Sequence, residues 1–321
     1  KKASLSKQKF IVYLKKQSEQ LDEIVLSLFK KEEKTNRIAE QIAVLSAKDI
    51  QKVSPQTSAD LLASVPGIKV QKSQSGGGSP ILRGMESNRV LLVVDGVRMN
   101  NAIYRKGHLQ NSITVSPNLL DRTEVVFGPS SVIYGSDALG GVMHFKTRDP
   151  EFNVKTSQSY FRFGAAHKEK TAHLNFNIGC EKIASLTSLT LSDFGDVRMG
   201  SNYINAYDGF GQRPYFLEYG LGEDILVQNE NPLIQSPSGY SQADFLQKLL
   251  WKTKRIQHSI NVQGSISSNV PRYDRLTEVN SDEILRFGDW YYGPEIRSLI
   301  SYSAKLDKSK WYDQAIVTFA H

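Results

Sequence analysis

The chain has 321 residues, enough for two domains, with 40% hydrophobic residues and a formal net charge of +7. No run reaches the about 18–20 consecutive apolar residues of a membrane-spanning helix, and the single cysteine, Cys180, excludes an internal disulfide framework and most thiolate metal sites. The basic residues gather in 1–37, in 248–255 and in scattered loops and do not cluster with aromatics as a binding stripe, so they read as solvated charge and nucleic acid is not an expected partner.

Lys1-Lys2-Ala3-Ser4 is followed by no apolar core of a secretory leader, and the start reads as an internal point of a longer protein. Lys9–Leu14 has a short strand pattern. Leu21–Leu28 (LDEIVLSL) is acidic, then β-branched and apolar, with Lys30, Lys31 and Lys34 behind it; taken alone it is an ordinary strand. Ile42–Leu45 reads as a strand and 46–50 as a helical turn. Thr57–Val65 is a short amphipathic helix with Thr57 or Ser58 as N-cap and Asp60 in its first turn. Pro66-Gly67 ends it, and Ile68–Gln71 returns as a strand. Ser75–Ser79 (SGGGS) reads as a flexible loop; it is not a phosphate loop, because no Gly-Lys-Ser/Thr follows.

Val90–Val94 and Thr123–Phe127 have the length and β-branched content of buried strands. The first ends in Asp95-Gly96 and the second in Gly128-Pro129, both turn pairs. A helical turn over Ser130–Tyr134 then leads to Gly135, Gly140 and Gly141. After Pro150 the pattern changes to period two. In Ile256–Ser267, Ile256, His258, Ile260, Val262, Gly264 and Ile266 share one face, opposite Gln257, Ser259, Asn261, Gln263 and Ser265. Thr171–Cys180 repeats this, with Ala172, Leu174, Phe176 and Ile178 opposite His173, Asn175 and Asn177. One apolar and one small-polar face fits a strand between lipid and a wet lumen, although a soluble β-sandwich alternates in the same way. Further strands are expected at Lys155–Ala165, Ile183–Phe194, Ala243–Trp251, Ile296–Leu306 and Trp311–His321, the last without a closing turn. The long connections 195–242 and 268–295 alternate with short turns.

No HExxH, CxxC or GxSxG pattern is present, and no Ser/His/Asp set sits in a recognisable context, so an enzyme is not expected. Asp208, Glu223, Asp224 and Glu230 match no calcium loop and read as surface charge. His144 reads as packed or facing a wall, and His167 and His173 as solvated or lumenal.

The order strand, Asp95-Gly96, strand, Gly128-Pro129, Tyr134-Gly135, Gly140-Gly141 resembles the plug domain of TonB-dependent outer-membrane receptors, in particular haem and iron receptors of Bacteroidetes-type organisms. Pro80–Gly84 (PILRG) is similar to the family's IRG segment, with Arg83 in the place of its arginine. The resemblance implies a mainly β chain: a small α+β plug domain followed by the N-terminal part of a large antiparallel transmembrane β-barrel. Residues 1–20 would be the tail of an upstream domain or linker, 21–28 the TonB box, 29–150 the plug, and 151–321 the first third of a wall of about 22 strands. It also implies a buried ion pair for Arg83, with Glu124 as the expected partner and Arg122 a second arginine beside that strand.

By the same resemblance, Asp22, Glu23, Ile24, Val25 and Leu26 would bind TonB by strand addition. Asn100, Asn101, Tyr104, Arg105, Lys106 and His108 would meet substrate on an outer plug loop. His108 lies in Gly-His-Leu with Asn111 behind it, a context shared with haem receptors, and neutral imidazole ligates haem iron. A loop histidine bonded to the wall remains the other reading, and the family's barrel-side haem motif would lie beyond His321. The implied function is energy-coupled import of haem or another iron chelate through the outer membrane, with the plug and N-terminus facing the periplasm. The implied partners are TonB with ExbB and ExbD, outer-membrane lipid, haem, a haemoprotein or a siderophore, and a surface lipoprotein; no intrinsic cofactor is expected. The alternatives are a cobalamin or oligosaccharide transporter, a non-transporting receptor or adhesin on the same scaffold, and a soluble β-rich enzyme.

Overall fold

The computed structural model describes residues 24–25, 33–34, 41–86, 89–99, 110–130, 134–201, 209, 211–220 and 222–321. At the N-terminal side, β1 (Ile24–Val25) pairs antiparallel with β2 (Glu33–Lys34). After β3 (Gln41–Ser46), α1 (Ala47–Val53) starts on a capping box. The Ser46 hydroxyl accepts from the Asp49 amide, and the Asp49 carboxylate accepts from the Ser46 amide at 3.0 Å. The same device starts α2 (Ser58–Ala63), which makes Thr57 its N-cap, with Asp60 as the reciprocal acid. β4 (Ile68–Gln71) and β5 (Ser79–Leu82) form a hairpin against α2.

The central sheet of this unit is built from β3, β6 (Val90–Val94), β7 (Val97–Arg98), β8 (Leu120–Phe127) and β9 (Gly141–Thr147), in the order β3-β8-β9-β6-β7. β6 runs parallel to β9, and every other pairing is antiparallel. All five residues of β6 are buried, as expected for an apolar run without alternation. Leu61 and Leu62 of α2 pack with Leu82, Leu92, Val125 and Phe145 in the main core.

The second unit is one seven-stranded antiparallel sheet. Its strands are β10 (Lys155–Gly164), β11 (Glu169–Gly179), β12 (Ile183–Phe194), β17 (Tyr240–Lys252), β18 (Ile256–Ser267), β21 (Ile296–Leu306) and β22 (Ala315–Ala320), each paired with the next. The long connection before β17 carries the ladders β13 (Val197–Arg198) with β16 (Ile234–Gln235) and β14 (Tyr215–Tyr219) with β15 (Asp224–Gln228). The connection before β21 carries β19 (Val270–Pro271) with β20 (Tyr291–Tyr292) and the short helix Tyr273–Leu276. At the other end of the sheet the turns between β11 and β12 and between β17 and β18 are short. The last strand is shorter than the sequence suggests: it starts at Ala315, and Trp311 lies outside it, almost fully exposed.

The faces of this sheet are inverted relative to a water-soluble one. On β11, Thr171, His173, Asn175 and Asn177 are buried, while Leu174, Phe176 and Ile178 on the other face are exposed. On β18, Asn261, Gln263 and Ser265 are buried and Ile260 and Ile266 are exposed. The buried polar face lies against the N-terminal unit. Gln242 donates to the Ile113 carbonyl at 2.9 Å and Arg297 to the Thr114 carbonyl at 3.1 Å, and Leu119 packs with Leu186 and Leu246. An outward apolar band around a polar interior is the physical requirement of a sheet that crosses hydrocarbon.

Candidate functional site

Residues 100–108, which carry Asn100, Asn101, Tyr104, Arg105, Lys106 and His108, lie outside the described residues, as do Asp22, Glu23 and Leu26. The described structure brings together a different constellation, along the seam between the N-terminal unit and the wall.

The expected Arg83–Glu124 pair does not form. Arg83 occupies a turn after β5 at φ 48°, is exposed, bonds the Gln41 side chain, and stacks over Phe127 with 4.7 Å to the ring centroid. Glu124 is fully buried and accepts from Arg122 Nε at 2.7 Å. The reason is local: residues two apart on a strand share a face, so Arg122 reaches Glu124 along β8 while Arg83 leaves on a turn. His144 is the ladder partner of Glu124 on β9. Its Nε2 accepts from the Gly96 amide at 3.1 Å, which puts the ring proton on Nδ1, 3.7 Å from the Glu124 carboxylate. Burial would raise the Glu124 carboxyl, but His144 and Arg122 beside it outweigh burial and hold it at about 2.

The other motif residues shape the turns around this ladder. Gly128 (φ 114°) donates to the Gly140 carbonyl at 3.2 Å, and Gly140 donates to the Arg89 carbonyl at 2.6 Å. Pro129 follows Gly128 and leads into Ser130, whose amide bonds Ala138. Tyr134 is buried, with its phenol pushed up by burial and by Glu124; Gly135 (φ 91°) follows it, and Gly141 opens β9. Gly84 completes the Arg83 turn at φ 82°.

Asp95 stands in the tight turn after β6 at φ 48°. Its carboxylate accepts from the Thr147 amide at 2.9 Å and the Thr147 hydroxyl at 2.5 Å. From the wall it accepts from Asn261 at 3.0 Å and Gln263 at 2.8 Å, and Lys248 Nζ stands 3.2 Å away. Lys248 also meets Asp149 at 2.8 Å, and Lys146 bridges the same two acids at 3.6 and 3.0 Å. Two cations and two carboxylates thus form one neutral cluster. Burial opposes ionisation of Asp95, but Lys248, Lys146 and Thr147 hold its carboxyl well below the usual range. A cavity of about 800 Å³ runs beside the cluster, lined by Asp95, His144, Lys146, Lys248, Asn261 and Ser301.

Reading the basic residues near 248 as solvated charge is therefore corrected at Lys248, which is 2% exposed on its side chain. The signal was available: Lys248 shares a face with Asp244, Leu246 and Leu250, the inward face of β17. Ser75–Ser79 is likewise not a free loop. Gly76, Gly77, Gly78 and Ser79 are buried, and a Cβ on Gly76 would come within 2.8 Å of Tyr240 and Val270 on the wall. Ser75 bonds the Ser238 carbonyl, and the Asp274 amide donates to Ser73 at 3.3 Å. The glycines permit this close approach, which fastens the segment to both long connections.

Acid should weaken this assembly. Asp95 and Glu124 have folded-state values below their ordinary 3.8 and 4.5. Their contribution is complete above the unfolded values and is lost as pH falls toward the folded ones. Protease protection of the N-terminal unit in the full-length protein is expected to hold from pH 7 to 5 and to decline steadily below about 4.5. Constant protection down to pH 2 would show that the cluster does not contribute.

Residues 34–142 match the family profile described as TonB-dependent Receptor Plug Domain. The chain is 33% identical over 206 residues to the vitamin B12 transporter BtuB of Vibrio vulnificus, covering 62% of this chain and 32% of that protein. It is 35% identical over 159 residues to a hemin receptor of Yersinia pestis, covering 47% and 22%. Among solved structures, the ferric enterobactin receptor PfeA of Pseudomonas aeruginosa matches with a TM-score of 0.57 at 18% identity, over 85% of this chain and 39% of that one. The alcaligin outer-membrane receptor FauA of Bordetella pertussis matches at 0.59 and 12% identity, over 92% and 41%. The matched region of the two sequence relatives is a third of their length or less.

Proposed function

We propose that the chain is the plug and the first barrel strands of a TonB-dependent outer-membrane receptor, and that the full-length protein imports haem or another iron chelate. The observation that carries the reading is the plug seated on the polar face of a wall whose other face is apolar. The hemin and ferric-siderophore receptors among the similar proteins support an iron chelate as cargo. The match to a vitamin B12 transporter supports cobalamin as the second reading.

In this reading residues 21–28 are the TonB box, 29–150 the plug and 151–321 the start of the barrel. Ile24–Val25 already pairs with Glu33–Lys34, so its main chain can exchange that short ladder for a TonB strand. ExbB and ExbD would energise TonB, and no nucleotide site is needed in this chain. A surface lipoprotein would deliver cargo outside. Asn100, Asn101, Tyr104, Arg105, Lys106 and His108 form the proposed plug contact with substrate. His108 is its iron ligand, and the basic side chains pair with propionates or a chelate's anionic groups. Substrate must favour the box-released state, since a ligand with equal affinity for both states signals nothing.

The test is a haem titration of the full-length protein in detergent, followed at the Soret band. A saturable band that shifts in His108→Ala is expected; a band indifferent to the substitution removes His108 from the iron. Absence of any haem band, with saturable binding of cyanocobalamin, replaces the reading with its alternative. Deletion of residues 21–28 is expected to abolish uptake by cells while leaving binding unchanged. Uptake that survives the deletion would overturn TonB coupling through this segment.

A further inference from the structure

A second cavity, of about 650 Å³, lies between the plug and the first wall strands. The plug supplies Ile50 and Pro55 from the α1 side, Pro117 and Asn118 before β8, and Arg148 from the chain leaving β9. The wall supplies Gln158, Tyr160 and Arg162 of β10 and His173 of β11. No Asp or Glu is among its lining residues, whereas the cavity at the Asp95 cluster is lined by both aspartates and lysines.

The two arginines differ. Arg162 is neutralised by Glu169 at 2.5 Å, and its remaining donors go to Ser54 and to the Pro55 carbonyl at 3.1 Å. Among the described residues Arg148 bonds neutral acceptors only: Gln158 Oε1 at 2.7 Å and, at 3.5 Å, the Leu120 carbonyl. The acid that acts on it, Asp121, is already bonded to Arg122 at 3.3 Å. Opposite, His173 is 2% exposed; its Nδ1 bonds Thr190 at 2.8 Å, and its Nε2 is buried with no partner. In the tautomer whose Nδ1 accepts from the Thr190 hydroxyl, Nε2–H is a donor lacking an acceptor among the described residues. Tyr160, whose ring centroid is 5.3 Å from that of His173, is held by Asn118.

A guanidinium bonded only to neutral acceptors and a buried, unpartnered imidazole nitrogen on one cavity with no carboxylate in its lining call for a negatively charged acceptor. We propose that this cavity is an oxyanion-binding site, taking a carboxylate or phosphate-like group between Arg148 and His173 Nε2. The anion gives Arg148 a directly bonded counter-charge, which none of its hydrogen-bond partners among the described residues supplies. Its place on a path through the barrel rests on the import reading; the site itself does not.

The experiment uses full-length receptor. Crystals soaked in selenate are expected to show an anomalous peak within hydrogen-bond distance of Arg148 and His173, absent from Arg148→Gln. In detergent solution, phosphate is expected to raise the unfolding temperature saturably, with affinity about tenfold or more weaker in Arg148→Gln and in His173→Gln. A soak in succinate separates the sources: density for succinate assigns the site to carboxylates borne by substrates, and density for selenate alone assigns it to free tetrahedral anions. Water alone in wild-type crystals, or a phosphate response unchanged by both substitutions, overturns the proposal. If neither variant folds, the wild-type selenate map alone decides. Failure here leaves the haem titration untouched, and failure of that titration leaves the selenate result standing.

Discussion

Lys248→Met in the full-length receptor is expected to loosen the plug from the wall by about 3–5 kcal/mol, the usual cost of removing one member of a buried charge set. Lys248 touches both Asp95 and Asp149, at 3.2 and 2.8 Å. Without it, two carboxylates share only Lys146, and Asp95 keeps its negative charge in a buried turn. Hydrogen exchange at 95–97 and 141–147 should accelerate, while exchange within the wall ladders stays slow. Adding Asp95→Asn should recover a large part of the loss, because it removes the charge left unpaired and keeps an acceptor for Thr147. Equal exchange in Lys248→Met and wild type would show that the wall does not hold the plug through this cluster.

Gly141→Ala is expected to be at least as damaging, at about 3 kcal/mol or more. Gly141 sits at φ 149°, and an added Cβ would overlap the Val126 carbonyl and the Leu82 side chain. It also pairs with Val90 and Phe127, so a shift there disturbs β6, β8 and β9 together. Gly84→Ala is the control: its φ of 82° is also positive, but nothing lies within 4 Å of the added Cβ. That variant should lose about 1 kcal/mol, the conformational part alone. The comparison is made by thermal unfolding and by protease protection of the plug. Equal losses in the two variants would refute the steric argument for Gly141.

How much could be read beforehand differs from element to element. The short helix at 58–63 was legible to its cap, because Thr57 and Asp60 stand at capping-box spacing and need no distant partner. The wall strands were legible by face, since the apolar side of β11 or β18 is set by alternation within one segment. Arg83 was read by its place in a motif, and the motif says nothing about which acid it meets. Its partner failed because the chain turns away after β5, while Arg122 lies on the strand that carries Glu124.

Local sequence sets the classes of element, the alternation of an apolar and a small-polar face along the wall strands, and the resemblance to a plug, because these depend on neighbours a few residues away. The packed chain adds that the polar face points inward, that Asp95 meets Lys248, that Gly76 packs under Tyr240, and that Arg148 and His173 share a cavity. The reason is physical. Turn and strand preferences are local, whereas the charge balance of a buried group depends on what the folded chain brings against it. Distant segments supply that partner only when the plug seats on the wall.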